Sequence, residues 1–265
     1  MKLGFIGCGN MASAIIKGIL ARETVSGSDI SVYDILTENT ANAARLFGIQ
    51  PCSNTKELIQ NSDIIILAVK PKDLASVLNK NVTVLSEKNP LIISIAAGKT
   101  LEYLAGNLTY KAKLVRVMPN INAKVSEAMS GYCCSDSVSD EEKALVERIF
   151  SSVGKIMEID ENYFPLYGVI AGCSPAFGYL FINAMAEAAV KFGMNKQTAL
   201  EISAQTILGS AKMILESDEH PWALIDQVCS PGGTTIEGVL SLQKNGFETA
   251  IHKAIAKAVD KDSKI

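Results

Sequence analysis

Histidine is nearly missing from this 265-residue chain, which holds only His220 and His252. A zinc centre or a Ser-His-Asp triad therefore has almost no raw material, and most metal-dependent and hydrolytic mechanisms drop away. The six cysteines, at 8, 52, 133, 134, 173 and 229, include no C-x-x-C pair and none with a histidine at ligand spacing. Adjacent Cys133 and Cys134 do not bridge easily, so all six read as reduced, small apolar residues. Charge of one sign is lacking too. A formal net charge of −3 gives no general attraction to nucleic acid or to an anionic membrane, so any anion site has to be local. No unbroken apolar run approaches the roughly 18 residues of a membrane span, and the N-terminus lacks the basic start and cleavage region of a secretory signal. A cytoplasmic address is the default expectation. With 48% hydrophobic and 20% charged residues, the chain is a globular one, long enough for two ordinary domains without covalent staples.

What is present begins at once. Lys2 to Ile6 reads as a short buried strand, Gly7-Cys8-Gly9-Asn10-Met11-Ala12 as a G-x-G-x-x-A turn, and Ala12 to Leu20 as an apolar helix leaving it. Gly7 permits the tight turn, Gly9 lets a pyrophosphate approach the backbone, and Ala12 lets helix and strand pack closely, with free N–H groups at the helix start to meet the anion. Ile30 to Tyr33 reads as a second strand ending at Asp34, about 20 residues on, where a carboxylate can accept from ribose hydroxyls. The plain alternative is an ordinary strand-to-helix turn with incidental glycines.

Further along, Thr37 to Phe47 reads as a helix stopped by Gly48, Ile49 to Cys52 as a strand, and Lys56 to Gln60 as a short helix. Asp63 to Val69 is an unbroken aliphatic run of the kind expected for a parallel strand covered on both faces, ended by Lys70-Pro71. A crossover helix over about 73–78 leads to the next strand, Pro90 to Ala96, and Lys113 to Val117 is one more. Such alternation predicts an α/β fold with a doubly wound parallel sheet, whose ligands lie beyond the carboxyl ends of the strands. Near Asp160 strand-like runs stop and long helical patterns take over, which places a domain boundary at 160/161. Helices are expected from about Pro175 to Phe192, from Lys196 to Leu215 with Asn195 as cap, and from Gly246 to Val259. Ala184, Ala186, Ala188 and Ala189 make the first of these narrow, as suits a helix packed on all sides within this chain or between subunits. A monomeric bundle is the alternative.

The second half holds one loop with a compact set of donors, Cys229-Ser230-Pro231-Gly232-Gly233-Thr234-Thr235, opening a helix at Ile236. Such a nest suits a carboxylate or phosphate, although any helix-opening turn uses the same residue types.

Taken in order, Gly4-Phe5-Ile6-Gly7-Cys8-Gly9-Asn10-Met11, Ala68-Val69-Lys70-Pro71, Ala96-Ala97-Gly98, Arg116-Val117-Met118-Pro119-Asn120, Ala171-Gly172-Cys173-Ser174-Pro175-Ala176 and Ser230-Pro231-Gly232-Gly233-Thr234-Thr235 span almost the whole chain. The set resembles the Δ1-pyrroline-5-carboxylate reductases, with the last segment as that family's most distinctive signature. The resemblance implies a Rossmann domain followed by an all-α dimerisation domain, a homodimer or a ring of dimers, and reduction of a cyclic imino acid to L-proline by NADPH or NADH. It implies that Ser230, Gly232, Gly233, Thr234 and Thr235 hold the substrate carboxylate, with a contact from Ser174, and that the Thr235 hydroxyl faces the ring nitrogen as the catalytic group. The acid-gripping turn would then have to reach the nicotinamide. It also implies cofactor contacts from Ile6, Gly7, Cys8, Gly9, Asn10, Met11, Asp34, Asn54, Ala68, Val69, Lys70, Pro71, Ala96, Ala97, Gly98 and Asn120, and no metal. Lys70 could equally be a solvated lysine before a proline, and Asn120 either positions the nicotinamide amide or caps the turn that follows.

The chain departs from the family pattern at two positions. Cys173 stands where the family often has glycine, and Asp34 where many members carry hydroxyl, Asn or Arg groups. A carboxylate there repels a 2′-phosphate and accepts from a free 2′-hydroxyl, so NADH use at least comparable to NADPH is expected, although Thr37 and Asn39 could still reach a phosphate. A β-hydroxyacid dehydrogenase shares the two-domain plan but depends on a lysine early in its long interdomain helix, and Phe177 to Ala189 contains none. A dinucleotide-binding sensor without turnover is the reading from another class.

Overall fold

The computed structural model describes residues 1–262. Eight strands form one sheet: β1 (Leu3–Ile6), β2 (Ile30–Tyr33), β3 (Gln50–Pro51), β4 (Ile64–Leu67), β5 (Leu91–Ser94), β6 (Lys113–Met118), β7 (Ala128–Cys134) and β8 (Gly154–Glu158). Their order is β3-β2-β1-β4-β5-β6-β7-β8, and all neighbours are parallel except β6 and β7. The chain leaves β1 first toward β2 and then toward β4, which makes the end of β1 a topological switch point. Ile6 pairs with both Tyr33 and Leu67, so β1, β2 and β4 end level and deliver Gly7, Asp34 and Ala68 side by side.

The aliphatic run in β4 is explained by two-sided burial. Ile64 and Ile66 join a core that includes Phe5, Ile15, Ile16, Val32 and Phe150 on one face. Ile65 and Leu67 join Leu58, Leu74, Leu78, Ile92 and Leu104 on the other. Each such side chain contributes roughly 1.5–3 kcal/mol of transfer free energy. Helix Asn10–Ala21 turns Ala12, Ile15, Ile16 and Ile19 to the first face. A Cβ on Gly18 would strike Val153 Cγ1, so Gly18 lets this helix lie against the 151–153 turn.

Several elements depart from the sequence expectation. β7, β8 and helix Asp140–Phe150 fall between Asn120 and Asp160, a stretch to which no element is assigned from sequence. β7 is written largely in small residues, Ala128-Met129-Ser130-Gly131-Tyr132-Cys133-Cys134, and β8 has two half-buried and three exposed positions, so neither carries the branched aliphatic run of the inner strands. The helix does carry a sequence signature: Ser139 and Glu142 cap each other's backbone N–H groups reciprocally. The crossover helix is longer than read, Leu74–Lys88, and stops at Asn89 in the left-handed region with φ 48°.

The compact units divide between Gly172 and Cys173, against an expected boundary at 160/161. The second unit is helical: Ser174–Lys191, Lys196–Glu216, Pro221–Val228, Thr234–Lys244 and Phe247–Asp262. Asn195 caps the second of these by accepting from Gln197 N–H and Thr198 N–H. Only Ala186, Ala199 and Ser203 are buried among its described residues. The narrow alanine helix is therefore not enclosed by its own chain, with Tyr179 at 60% and Leu180 at 70% exposure. One further correction concerns apolar length: within the continuous helical stretch Glu161–Lys191 an 18-residue window reaches a mean hydropathy of 1.5, so the helix is long and apolar enough to cross a membrane by length and composition alone.

Candidate active site

One group of candidate residues lies at the level end of β1, β2, β4 and β5. Gly7 takes φ +104°, and its N–H donates to Tyr33 O at 2.8 Å. A Cβ here would lie 2.6 Å from Ala68 O, so the turn closes onto the end of β4 only with glycine. At Gly9 nothing stands within 4 Å of where a Cβ would be. Gly9 is also the N-cap of helix Asn10–Ala21, which has neither a side-chain cap nor an acidic residue in its first turn. Its leading N–H groups and the positive end of its dipole are thus left for an anion.

Asp34 is engaged more fully than its sequence position suggests. Oδ2 accepts from Cys8 N–H at 2.8 Å, Oδ1 accepts from Leu36 N–H at 3.0 Å, and its own N–H donates to Thr40 Oγ1 at 2.9 Å. The carboxylate anchors the glycine turn to the end of β2 while its remaining lone pairs stay available to a ribose. Burial first, and Asp34 second, push the Cys8 thiol up to about 12, which keeps it protonated and unreactive at neutral pH. Thr40, a buried part of this knot, was not singled out from sequence; a threonine inside an otherwise exposed helix was the available signal.

Ala68 N–H donates to Ile6 O at 2.8 Å, continuing the ladder past β4. Val69 and Pro71 are half-buried, while Lys70 is exposed. After β5, Ala96 is buried, Ala97 and Gly98 are exposed, and Gly98 takes φ +71° with open space around it. Asn54 lies past β3, where its Oδ1 caps helix Thr55–Gln60 by accepting from Glu57 N–H and its amide donates to Ser53 Oγ. Asn120, past β6, is 7% exposed, and its amide is used within the unit: Nδ2 donates to Ala171 O at 2.9 Å and Oδ1 accepts from Met129 N–H at 3.3 Å. It does not cap the 121–125 turn with its side chain.

A separate group of candidate residues lies in the helical unit. Past helix Pro221–Val228 the chain makes a turn closed by Gly233 N–H donating to Ser230 O at 3.0 Å. Gly232 takes φ +67°, and a Cβ on Gly233 would fall 2.5 Å from Ser230 Oγ. Gly232 is therefore set by its left-handed backbone, and the missing side chain of Gly233 leaves room for the Ser230 hydroxyl. Gly233 is the N-cap of helix Thr234–Lys244, again without a side-chain cap, and Ser230, Thr234 and Thr235 are exposed. Serine hydroxyl, threonine hydroxyls and uncapped N–H groups form a donor set suited to a carboxylate. Ser174 opens the long helix of the same unit, half-buried. Of the residues expected to meet the cofactor, most lie at the ends of β1, β2, β4 and β5, with Asn54 and Asn120 on either side; those expected to meet the substrate lie on one turn and one helix start of the other unit.

Comparisons with known proteins place this chain. Residues 161–265 match a family model described as pyrroline-5-carboxylate reductase dimerisation, and residues 2–98 one described as NADP oxidoreductase coenzyme F420-dependent. A pyrroline-5-carboxylate reductase of Escherichia coli is 43% identical over all of this chain and 98% of its own length. One of Methanosarcina acetivorans is 39% identical over all of this chain and 97% of its own. Among solved structures, a pyrroline-5-carboxylate reductase from Coxiella burnetii superposes with a TM-score of 0.94 at 30% identity, over 99% of this chain and 97% of that one. The Plasmodium falciparum pyrroline carboxylate reductase, solved with NADP bound, gives 0.86 at 36% identity, over 99% and 97%. The chain belongs to the pyrroline-5-carboxylate reductase family.

Proposed function

We propose that the protein reduces 1-pyrroline-5-carboxylate to L-proline with NADPH or NADH, the last step of proline biosynthesis, as a cytoplasmic homodimer or ring of dimers. The observation that carries this reading is the pairing, in one chain, of two uncapped helix starts. One lies beside the open Gly9 and suits a pyrophosphate, and one lies at the Ser230–Thr235 turn and suits a carboxylate. A bound nicotinamide supplies the hydride for the imine carbon. The chain supplies orientation and the proton path. The N–H groups of Asn10, Met11 and Ala12 hold the pyrophosphate, and Asp34 accepts from the ribose. Ser230 and the N–H groups of Thr234 and Thr235 hold the carboxylate of the imino acid, which fixes the ring. Thr235 Oγ1 faces the ring nitrogen: as hydride adds to the imine carbon, the C=N π pair moves to nitrogen, which takes a proton from water relayed by that hydroxyl, leaving a C–N single bond and a new C–H bond. No strong acid is required for this step.

Asp34 also bears on cofactor choice. A carboxylate held in place by two N–H groups repels a 2′-phosphate more than a mobile one would, and supports NADH use at least comparable to NADPH.

The test is oxidation of NADPH and NADH by the purified protein on addition of pyrroline-5-carboxylate, compared with reduction of NADP and NAD on addition of 2-hydroxy and 3-hydroxy acids. Rapid cofactor oxidation with the imine and none of the reverse reactions is expected. Dehydrogenation of a hydroxy acid without imine reduction would replace this reading with a hydroxyacid dehydrogenase.

A further inference from the structure

β6 is tied to the segment Glu161–Cys173 at three successive rungs. The contacts fall at the Arg116 side chain and the Met118 carbonyl in the strand, and at the Asn120 side chain just past its end. Arg116, 8% exposed in its side chain, donates from Nη1 to Glu161 Oε1 at 3.0 Å and sits 4.1 Å from the Phe164 ring centroid. At the second rung the Tyr167 hydroxyl lies 3.1 Å from Met118 O and 2.7 Å from Met129 O. At the third, Asn120 donates to Ala171 O.

The third rung differs from the others because the helix there is no longer an α-helix. Gly168–Cys173 forms a π-helical turn, wider than its neighbours, and such turns have poor intrinsic stability and are retained mainly where a function needs the displaced backbone. The surroundings are shaped to hold it. A Cβ on Gly168 would come within 3.0 Å of Met118 Cε, and one on Gly172 within 3.7 Å, so the methionine at the second rung fits against both glycines. Asn120 meets the carbonyl of Ala171 inside this turn, three residues before Ser174 in the chain. Meanwhile the other end of its amide takes the Met129 N–H from the neighbouring strand β7.

We infer that Asn120 is a positioning residue for hydride transfer: it holds the Gly168–Cys173 turn against the carboxyl end of β6 and acts on the reaction through that backbone, without touching the cofactor. This role rests on the reductase activity proposed above and replaces the direct cofactor contact expected from sequence. Its buried amide is tied into the fold at both ends, through Nδ2 to Ala171 O and through Oδ1 from Met129 N–H.

Asn120→Asp tests it with little change of shape, because one carboxylate oxygen still accepts from Met129 N–H while the other now faces the Ala171 carbonyl without a donor. Asn120→Ala removes both bonds. The expected result in each is a fall in kcat of about tenfold or more, with the NADPH dissociation constant within about twofold of wild type. Faster amide hydrogen exchange confined to about 169–174 should accompany it. NADPH binding weakened about tenfold at unchanged kcat would show a direct cofactor contact and overturn the inference. Unchanged kcat alongside faster exchange would make the rung purely structural, which also overturns it. If the wild type shows no imine turnover, the activity itself is wrong, and that is visible before any variant is made.

Discussion

Strand Ile64–Leu67 and helix Lys196–Glu216 both carry many aliphatic side chains, yet the sheet unit hides its own and the helical unit does not. All four residues of the strand are at or below 2% exposure, whereas Ile202, Leu208, Met213, Ile214 and Leu215 are between 46% and 64% exposed. The sheet unit closes two cores with its own chain, one on each face. The helical unit leaves Tyr179, Leu180, Phe192, Trp222 and Leu240 open as well. Apolar surface on this scale on a folded domain marks a surface that another chain covers. That agrees with the match of residues 161–265 to a dimerisation model. One half of the molecule thus closes its own cores, and the other leaves open an apolar face of the kind a second copy of the chain covers.

The sharpest way to break this contrast is to charge the open face. Leu208→Glu should weaken self-association by at least about 100-fold, since a carboxylate forced into an apolar interface loses several kcal/mol of solvation. Analytical ultracentrifugation reads it directly, and a wild type that sediments as a monomer at micromolar concentration would dissolve the comparison. Gly7→Ala probes the self-sufficient half. The added methyl meets Ala68 O at 2.6 Å and the residue is held at φ +104°, so a loss of about 1–3 kcal/mol in stability and a comparable loss in NADPH affinity are expected from calorimetry. On the open half, Ser230→Ala removes one hydroxyl donor to the carboxylate. It should raise the KM for the imino acid by about tenfold with kcat little changed, the worth of one charge-assisted hydrogen bond. The smallest effect belongs to Asp34→Ser, which should move the NADPH-to-NADH ratio of kcat/KM toward NADPH by a few-fold, about 1 kcal/mol. A strong NADPH preference unaltered by the substitution would show that Asp34 acts only as the anchor of the glycine turn.

Legibility in the sequence follows the same divide. The end of β1 could be read because a parallel strand buried on both faces must be aliphatic, and the turn after it must be glycine where Ala68 O closes in. β7 could not, because an antiparallel strand of Ala, Met, Ser, Gly and Cys has no periodicity to distinguish it. The roles of Asp34 and Asn120 were visible only as polar residues at strand ends. That Asp34 binds Cys8 N–H, and that Asn120 reaches Ala171, depends on contacts 26 and 51 residues apart along the chain. The π-helical turn has no local code, since Gly-Val-Ile-Ala-Gly-Cys is equally compatible with an ordinary helix.

The central claim is that the Ser230–Thr235 turn serves the reacting imine and the glycine turn serves the cofactor. Single-turnover kinetics of Thr235→Val, with NADPH binding measured in parallel, tests it most directly. The claim predicts a fall in the rate of hydride transfer of about 100-fold, the usual worth of a positioned proton donor, at unchanged NADPH affinity. A variant that transfers hydride at the wild-type rate, or one that fails because it no longer binds NADPH, would contradict it.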